Sequence, residues 1–139
     1  MQQLQSYLTM AFYTSFYQFW YILVYHLAAE YGRWNGEDYY ENLWNTNVIG
    51  TKNMLRIQEK HKFKMIAFSS SEVYGDYQGV MSENVMEKFE IKQMNDYAMT
   101  KWVNEMQVIN SADMFETETV RVRPINCYGP HEHYNSYRG

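Results

Sequence analysis

The sequence predicts an α/β fold in which parallel strands alternate with helices. Two short apolar runs, at residues 21–27 and 64–68, have the length and composition of buried strands, and residues 119–122 are predicted to form a further strand. The two long segments between them carry apolar residues at helical spacing. Strand, helix, strand, helix, strand in this order implies right-handed crossovers, and therefore a doubly wound parallel sheet with helices on its faces.

Size and composition bound the class of protein. The 139 residues suit one domain, and 46% hydrophobic with 20% charged residues is ordinary for a soluble protein. A net charge of −4 argues against nucleic acid as a partner, because phosphate binding needs clustered Lys and Arg. The single cysteine, Cys127, excludes an internal disulfide and a cysteine-based metal site. We therefore expect a cytoplasmic protein without a metal centre.

The first 20 residues are set apart by their composition. No Lys, Arg, Asp or Glu occurs before Glu30, and aromatic residues crowd the stretch. A membrane span needs roughly 20 mostly apolar residues, but Thr14, Gln18 and other polar residues interrupt this one. A signal peptide requires a basic residue before its apolar stretch, and none precedes this one. We predict a strand at 21–27, an atypical charge-free segment at 1–20, and no membrane association; membrane attachment is the less favoured alternative.

The first helix is predicted between about residues 38 and 60, where no proline intervenes. Gly50 lies inside it, at a cost of about 1 kcal/mol relative to Ala. This position therefore predicts a close packing contact. The apolar run 64–68 that follows stops at three serines, as a buried strand does.

The second half of the chain continues the alternation. Residues 75–93 are polar and contain two glycines, which is typical of a loop. A second helix is predicted from near Asn95 to about Met114, and the strand 119–122 is ended by Pro124.

Three segments follow the carboxyl ends of the predicted strands. They read HLAA at 26–29, SSSEVYG at 69–75 and RPINCYGP at 123–130. Because ligands of parallel α/β sheets bind beyond this edge, the serines and Glu72 are expected at the mouth of a site.

Tyr97 and Lys101 open the second helix and share one of its faces, because they are four residues apart. An isolated pair of this kind is typical of a surface helix. Here the helix follows a strand that ends in Ser-Ser-Ser-Glu, and this position favours a catalytic role for the pair. Tyrosine has a pKa of about 10, and about 4 kcal/mol is needed to bring that pKa to about 7. A nearby cation lowers it by about 1–3 units, so a second charge such as an oxidised nicotinamide ring is needed. The residues suggest proton abstraction coupled to hydride transfer.

Five stretches carry a family resemblance. They are VYHLAAE (24–30), NTNVIGTKNML (45–55), SSSEVYGD (69–76), NDYAMTK (95–101) and RPINCYGP (123–130). In these stretches, over roughly residues 22–132, the sequence resembles the extended short-chain dehydrogenase/reductases, specifically the NAD-dependent nucleotide-sugar epimerases and dehydratases. The resemblance implies a Rossmann-like domain of which this chain holds the central strand-helix-strand-helix-strand portion.

The resemblance also implies roles for individual residues. Tyr97 would be the catalytic base, Lys101 would bind the nicotinamide ribose and lower the pKa of the tyrosine, and Ser70 matches the family's catalytic Ser/Thr. The implied cofactor contacts, besides Tyr97 and Lys101, are Leu27, Ala28, Ala29, Asn47 and Pro124. The implied substrate contacts are Ser71 and Asn126.

Glu72 bears on the type of reaction. In the family's sugar 4,6-dehydratases a glutamate at this position helps to eliminate water after oxidation at C4, since the C4 ketone acidifies the neighbouring C–H. Ser71 stands where those enzymes usually carry an acidic proton donor. A 4,6-dehydratase is the leading interpretation, with an epimerase or a decarboxylase of the same family as the alternative. A solvated loop carboxylate without a catalytic role is the structural alternative.

The sequence also departs from the family pattern. The Gly-x-x-Gly-x-x-Gly turn that holds the cofactor pyrophosphate does not occur, and no glycine precedes Ala29. We therefore expect residues 21–139 to form an incomplete NAD(P)-binding domain that lacks this loop and the C-terminal substrate lobe. Residues 1–20 do not resemble the family and are expected to lie outside that domain. NAD is the expected cofactor, with NADP as the alternative, and a nucleotide-sugar is the expected substrate.

Two functional hypotheses follow. The chain is part of an enzyme that dimerises through its two long helices, as the family does, or it is a catalytically inactive remnant that at most associates with another protein. Binding of NAD separates the two.

Overall fold

A computed structural model of the chain describes residues 22–31, 40–127 and 129–130. The predicted segment 1–20 lies outside these residues. Within the described ranges, three strands form one sheet: β1 (Leu23–His26), β2 (Lys64–Phe68) and β3 (Thr119–Val122). Their order is β1-β2-β3 and both pairs are parallel, so the predicted α/β class with a parallel sheet is confirmed.

Strand β1 is shorter and more exposed than the sequence predicts. Leu23 is 47% exposed and Tyr25 is 58% exposed, whereas Val24 and His26 are half-buried. The prediction of a buried strand at 21–27 is wrong in this respect. The reason is that side chains alternate between the two faces of a strand, and in the part of the chain that the structure describes the helices pack on only one face of the sheet.

The first helical segment has three parts: α1 (Tyr40–Trp44), a π-helical turn (Asn45–Ile49) and α2 (Gly50–His61). The predicted helix is thus present, but with an irregular centre. Single π-helical turns are frequent at functional sites. This one carries Asn47, which is completely buried.

Gly50 has no close packing contact, contrary to the prediction from its place in the helix. It has ordinary helical angles (φ −58°, ψ −46°), and an added Cβ would lie 3.7 Å from its nearest neighbour, the Asn45 carbonyl oxygen. We therefore expect Gly50→Ala to raise the free energy of unfolding by about 0.5–1 kcal/mol, because alanine loses less backbone entropy. Urea unfolding of the two proteins measures this change.

Gly75 provides the matched control for that substitution. Its φ is +51°, and an added Cβ would lie 2.2 Å from the Lys92 carbonyl oxygen. Gly75→Ala should therefore destabilise the protein, while Gly50→Ala stabilises it. An unchanged or lowered stability in Gly50→Ala would contradict the prediction.

The rest of the chain returns to the sheet through β2, a 3-10 turn (Ser71–Tyr74), a short helix α3 (Val85–Lys88) and the long helix α4 (Asp96–Phe115). The predicted second helix is confirmed, and the predicted loop at 75–93 contains α3 as an added element. Among the described residues, no helix is both long and apolar enough to cross a bilayer.

The core lies between the sheet and the helices α2 and α4. Leu55, Phe63, Met65 and Val108 are buried there and form one cluster. Because this packing seats α4 against the sheet, the amino end of α4 meets the carboxyl ends of the strands. This meeting point is where the sequence places the candidate site.

Candidate functional site

Tyr97 and Lys101 lie in the first two turns of α4. The helix begins at its N-cap Asn95, whose Oδ1 accepts a hydrogen bond from the Ala98 amide at 2.8 Å. Lys101 is buried and its Nζ donates to the Phe68 carbonyl at the end of β2, at 2.8 Å. The same Nζ lies 5.7 Å from the centroid of the Tyr97 ring.

Ser70 and Glu72 approach Tyr97 from the 3-10 turn that follows β2. Ser70 is extended (φ −154°, ψ 152°), and its Oγ accepts a hydrogen bond from the Glu72 amide at 3.2 Å. Its side chain and the charge of Glu72 both act on the pKa of Tyr97, in opposite directions. The four residues predicted to be catalytic are therefore brought together by the end of β2 and the start of α4.

The pKa of Tyr97 is raised above its ordinary value. Burial is the main cause, followed by the negative charge of Glu72 and a smaller effect of Tyr31; the hydrogen bond with Ser70 acts in the opposite direction. The sequence predicted that Lys101 lowers this pKa. The structure differs because loss of water and the neighbouring carboxylate outweigh any effect of the lysine.

Burial lowers the pKa of Lys101 to about 8. Among the described residues its amine donates one hydrogen bond, to Phe68, so two of its three N–H groups stay available for a ligand. His26, at the end of β1, also has a lowered pKa, through burial and the nearby charge of Lys101. Its Nε2 lies 2.9 Å from the Thr51 hydroxyl.

The segment after β1 contains three of the residues predicted to contact the cofactor, and that contact stays a prediction. Leu27, Ala28 and Ala29 are exposed there, and Tyr31, further along, contacts the Tyr97 ring edge-on with the ring centroids 5.1 Å apart. The segment after β1 therefore presents an accessible surface at residues 27–29, and Tyr31 joins this segment to Tyr97.

Asn47 lies behind that surface and is fully buried. Its Oδ1 accepts from the Glu30 amide at 2.7 Å, and its Nδ2 donates to the Glu30 carbonyl and to the Thr100 hydroxyl, both at 3.0 Å. In the structure Asn47 thus fixes the segment after β1 to α4. Its direct contact with a cofactor stays a prediction.

The end of β3 brings two further predicted residues together. The Ser71 amide donates to the Pro124 carbonyl at 3.2 Å, which extends the pairing of β2 and β3 toward the site. Asn126 lies beyond Pro124, exposed and with a left-handed φ of 30°. The substrate roles of Ser71 and Asn126 stay predictions.

A buried ion pair that the sequence did not predict lies beneath the site. Glu105 of α4 is 2% exposed and accepts two hydrogen bonds from the Arg123 guanidinium, from Nε to Oε1 and from Nη2 to Oε2, both at 2.8 Å. Ser69 donates to the same carboxylate. Arg123 also donates to the Tyr74 hydroxyl at 3.1 Å. Glu105 is four residues after Lys101 and hence on the same helix face, which is a signal that could have identified it.

A second missed contact joins the helix cap to Glu72. The Nδ2 of Asn95 donates to Glu72 Oε2 at 2.8 Å. Sequence patterns identify Asn95 as a helix cap, but this second contact connects residues 23 positions apart. No local pattern carries that information.

Comparison with known proteins gives one family. Residues 15–139 match the model of the "NAD dependent epimerase/dehydratase family". The match begins within the segment 1–20, which the composition sets apart.

Two curated relatives illustrate the similarity. The UDP-glucose 4-epimerase of Dictyostelium discoideum is 34% identical over 91 residues, which cover 63% of this chain and 25% of the epimerase. The dTDP-glucose 4,6-dehydratase of Mycobacterium tuberculosis is 29% identical over 114 residues, which cover 82% of this chain and 34% of the dehydratase. The chain thus spans between a quarter and about a third of the length of these relatives.

A solved structure agrees with the fold. The UDP-glucuronic acid 4-epimerase from Bacillus cereus, crystallised with UDP-glucuronic acid and NAD, superposes with a TM-score of 0.70 at 28% identity. The superposition covers 79% of this chain and 34% of the epimerase.

Proposed function

Because the chain belongs to the NAD dependent epimerase/dehydratase family, we propose that it carries the catalytic centre of a nucleotide-sugar 4,6-dehydratase that uses NAD. The observation that carries the proposal is the position of Glu72. Its carboxylate accepts a hydrogen bond from Asn95, two residues before Tyr97, and its charge acts on Tyr97. A solvated loop carboxylate without a function has no need of such a contact, and an epimerase has no step that requires a second base.

The residues around Lys101 fit the nicotinamide half of a dinucleotide. The buried amine keeps two N–H donors for ribose hydroxyls, and the exposed segment 27–29 follows His26, on whose pKa the charge of Lys101 acts. NAD, when bound, supplies the hydride acceptor for the oxidation at C4 and the hydride donor for the final reduction. NADP is the alternative, because the described residues include nothing that selects between the two.

Tyr97 and Ser70 serve the first step in this proposal. The Ser70 hydroxyl orients the sugar's C4 hydroxyl toward the Tyr97 oxygen, and Tyr97 removes its proton while the C4 hydrogen leaves as hydride. The raised pKa of Tyr97 must fall for this step, so a positive charge has to approach the ring when the ligands bind. The amine of Lys101 alone does not bring the tyrosine into the range of a base.

Glu72 serves the second step. The new C4 ketone acidifies the hydrogen on C5, and the carboxylate removes it. The proton that leaves C5 and the hydroxyl that leaves C6 together make one water, so that a C5=C6 double bond remains. A hydride delivered to C6 and a proton returned to C5 then complete a 4-keto-6-deoxy sugar.

A 4-epimerase is the second candidate function, favoured by the Dictyostelium discoideum relative and the Bacillus cereus structure. An epimerase reaction would use Tyr97, Ser70 and Lys101, and it would give Glu72 no role. A decarboxylase of the same family is a further alternative. A hypothesis of a different class is that the chain is an inactive remnant that associates with a partner protein. This hypothesis predicts that the chain does not bind NAD.

The test supplies the chain with NAD and with UDP- and dTDP-hexoses or a UDP-hexuronic acid, and follows the sugar by proton NMR. A dehydratase converts the C6 hydroxymethyl group into a methyl group, an epimerase changes only the configuration at C4, and a decarboxylase releases CO₂ from a uronic acid sugar. Calorimetry with NAD alone identifies the inactive remnant, which should show no binding.

Glu72→Gln is the variant that decides between dehydratase and epimerase. We expect formation of the methyl product to fall by about 10²–10⁴-fold, because the base for C5 is lost, while oxidation at C4 continues. Glu87→Gln, at an exposed position of α3, is the control and should be unchanged. Full dehydratase activity in Glu72→Gln, or epimerisation alone in the unaltered protein, would overturn the proposal.

A further inference from the structure

Asn95 uses both ends of its side-chain amide. Oδ1 accepts from the Ala98 amide at 2.8 Å and thereby caps α4, while Nδ2 donates to Glu72 Oε2 at 2.8 Å. The amide is planar, so the bond that caps the helix also fixes the direction in which the NH₂ group points. One residue therefore ties the start of the helix that carries Tyr97 to the turn that carries Glu72.

The cap alone does not require asparagine. Serine and aspartate cap helices about as well as asparagine, because each offers an oxygen to the free N–H groups of the first turn. Among these three, only asparagine adds an N–H donor. The residue type at position 95 thus serves a second purpose, and the partner of its donor is the carboxylate of Glu72.

We propose that Asn95 is a positioning residue that holds the Glu72 carboxylate beside Tyr97. This inference rests on the proposed function for its biological meaning. A glutamate side chain loses considerable rotamer freedom when it is fixed. Without the amide donor the half-buried carboxylate of Glu72 would turn toward solvent, and the base for the second step would leave the reacting atoms.

The pKa of Tyr97 reports the position of Glu72 without any need for turnover. The charge of Glu72 raises the pKa of Tyr97. Tyr31 also raises this pKa and Ser70 lowers it, and Lys101 is the nearest cation of α4. A carboxylate that moves away from the ring should therefore let the pKa of Tyr97 fall.

The experiment titrates Tyr97 by NMR in protein labelled with ¹³C-tyrosine, with Tyr97→Phe to assign its signal. We expect Asn95→Ser to lower the pKa of Tyr97 in the same direction as Glu72→Gln, with thermal stability close to that of the unaltered protein. Asn110→Ser, at an exposed position of the same helix, is the matched control and should change neither quantity. In a Glu72→Gln background, Asn95→Ser should have no further effect.

Two results would overturn the inference. One is an unchanged pKa of Tyr97 in Asn95→Ser while Glu72→Gln lowers it, because Asn95 would then not control the carboxylate. The other is loss of folding in Asn95→Ser while Glu72→Gln stays folded, because the contact would then serve the fold. Neither depends on whether the protein dehydrates or epimerises a sugar, so failure of the proposed function would be seen separately in the NMR assay of products.

Discussion

Replacing Glu105 with alanine should lower the free energy of unfolding by about 3–5 kcal/mol. The carboxylate is 2% exposed and receives both arms of the Arg123 guanidinium. Its removal takes the counterion from that guanidinium and from Arg121, whose Nη1 lies 3.4 Å from the same carboxylate, and takes the hydrogen-bond acceptor from the Ser69 hydroxyl. The hydrogen bonds with Glu105 are the main cause of the raised pKa of Arg123, so the arginine stays charged and bears the full cost of losing its counterion.

An exposed ion pair is the natural control for Glu105→Ala. Lys64 and Glu118 approach to 2.8 Å, the same distance, but their side chains are 51% and 68% exposed. Glu118→Ala should therefore cost less than about 1 kcal/mol. Urea unfolding of both variants and of Arg123→Ala measures the contrast. The double variant Glu105→Ala with Arg123→Ala should lose less than the sum of the two single changes, and a loss below about 1 kcal/mol in Glu105→Ala would refute the argument.

Lys101 should make the stability of the protein rise with pH in the alkaline range. Its pKa is about 8 in the folded protein and 10.5 without perturbation. Between these values the unfolded chain holds a proton that the folded protein has released, so rising pH favours the folded state. A difference of this size corresponds to about 3 kcal/mol between pH 8 and pH 10.5.

Comparison with Lys101→Met isolates this contribution, because all other titrating groups are shared by the two proteins. The free energy of unfolding of the unaltered protein, relative to that of Lys101→Met, should increase from pH 8 to pH 10.5. Lys88→Met, at an exposed position of α3, should show no such trend. A difference between the unaltered protein and Lys101→Met that stays constant with pH would show that the amine is not desolvated in solution.

The strands β2 and β3 could be predicted from sequence because apolar runs end at polar or proline residues there. The burial of β1 could not be predicted in the same way. An apolar run reports that its side chains favour burial, but which face of the sheet is covered depends on elements elsewhere in the chain. The π-helical turn at Asn45–Ile49 was not predicted either. Its hydrogen bonds span one residue more than those of an α-helix, and over a single turn this difference leaves no visible change in the apolar spacing.

The candidate site divides in a similar manner. Tyr97, Lys101, Ser70 and Glu72 were found because they stand in local motifs that a strand end and a helix start bring together. Asn95 and Arg123 were missed as partners because their contacts join distant segments. The raised pKa of Tyr97 was also not predicted, since the burial that causes it depends on tertiary packing rather than on the four-residue spacing to Lys101.

The parallel pairing of the sheet has a consequence for how fast the protein reaches its native state. Leu23 pairs with Lys64, and Met65 pairs with Thr119. The paired residues are therefore about 40 positions apart for β1 and β2, and about 55 positions apart for β2 and β3. Closing such loops costs chain entropy before any pairing is gained, and this slows folding. Newly made chains would therefore spend longer with Leu23, Tyr25 and the other strand residues unpaired, and folding yield should depend strongly on protein concentration.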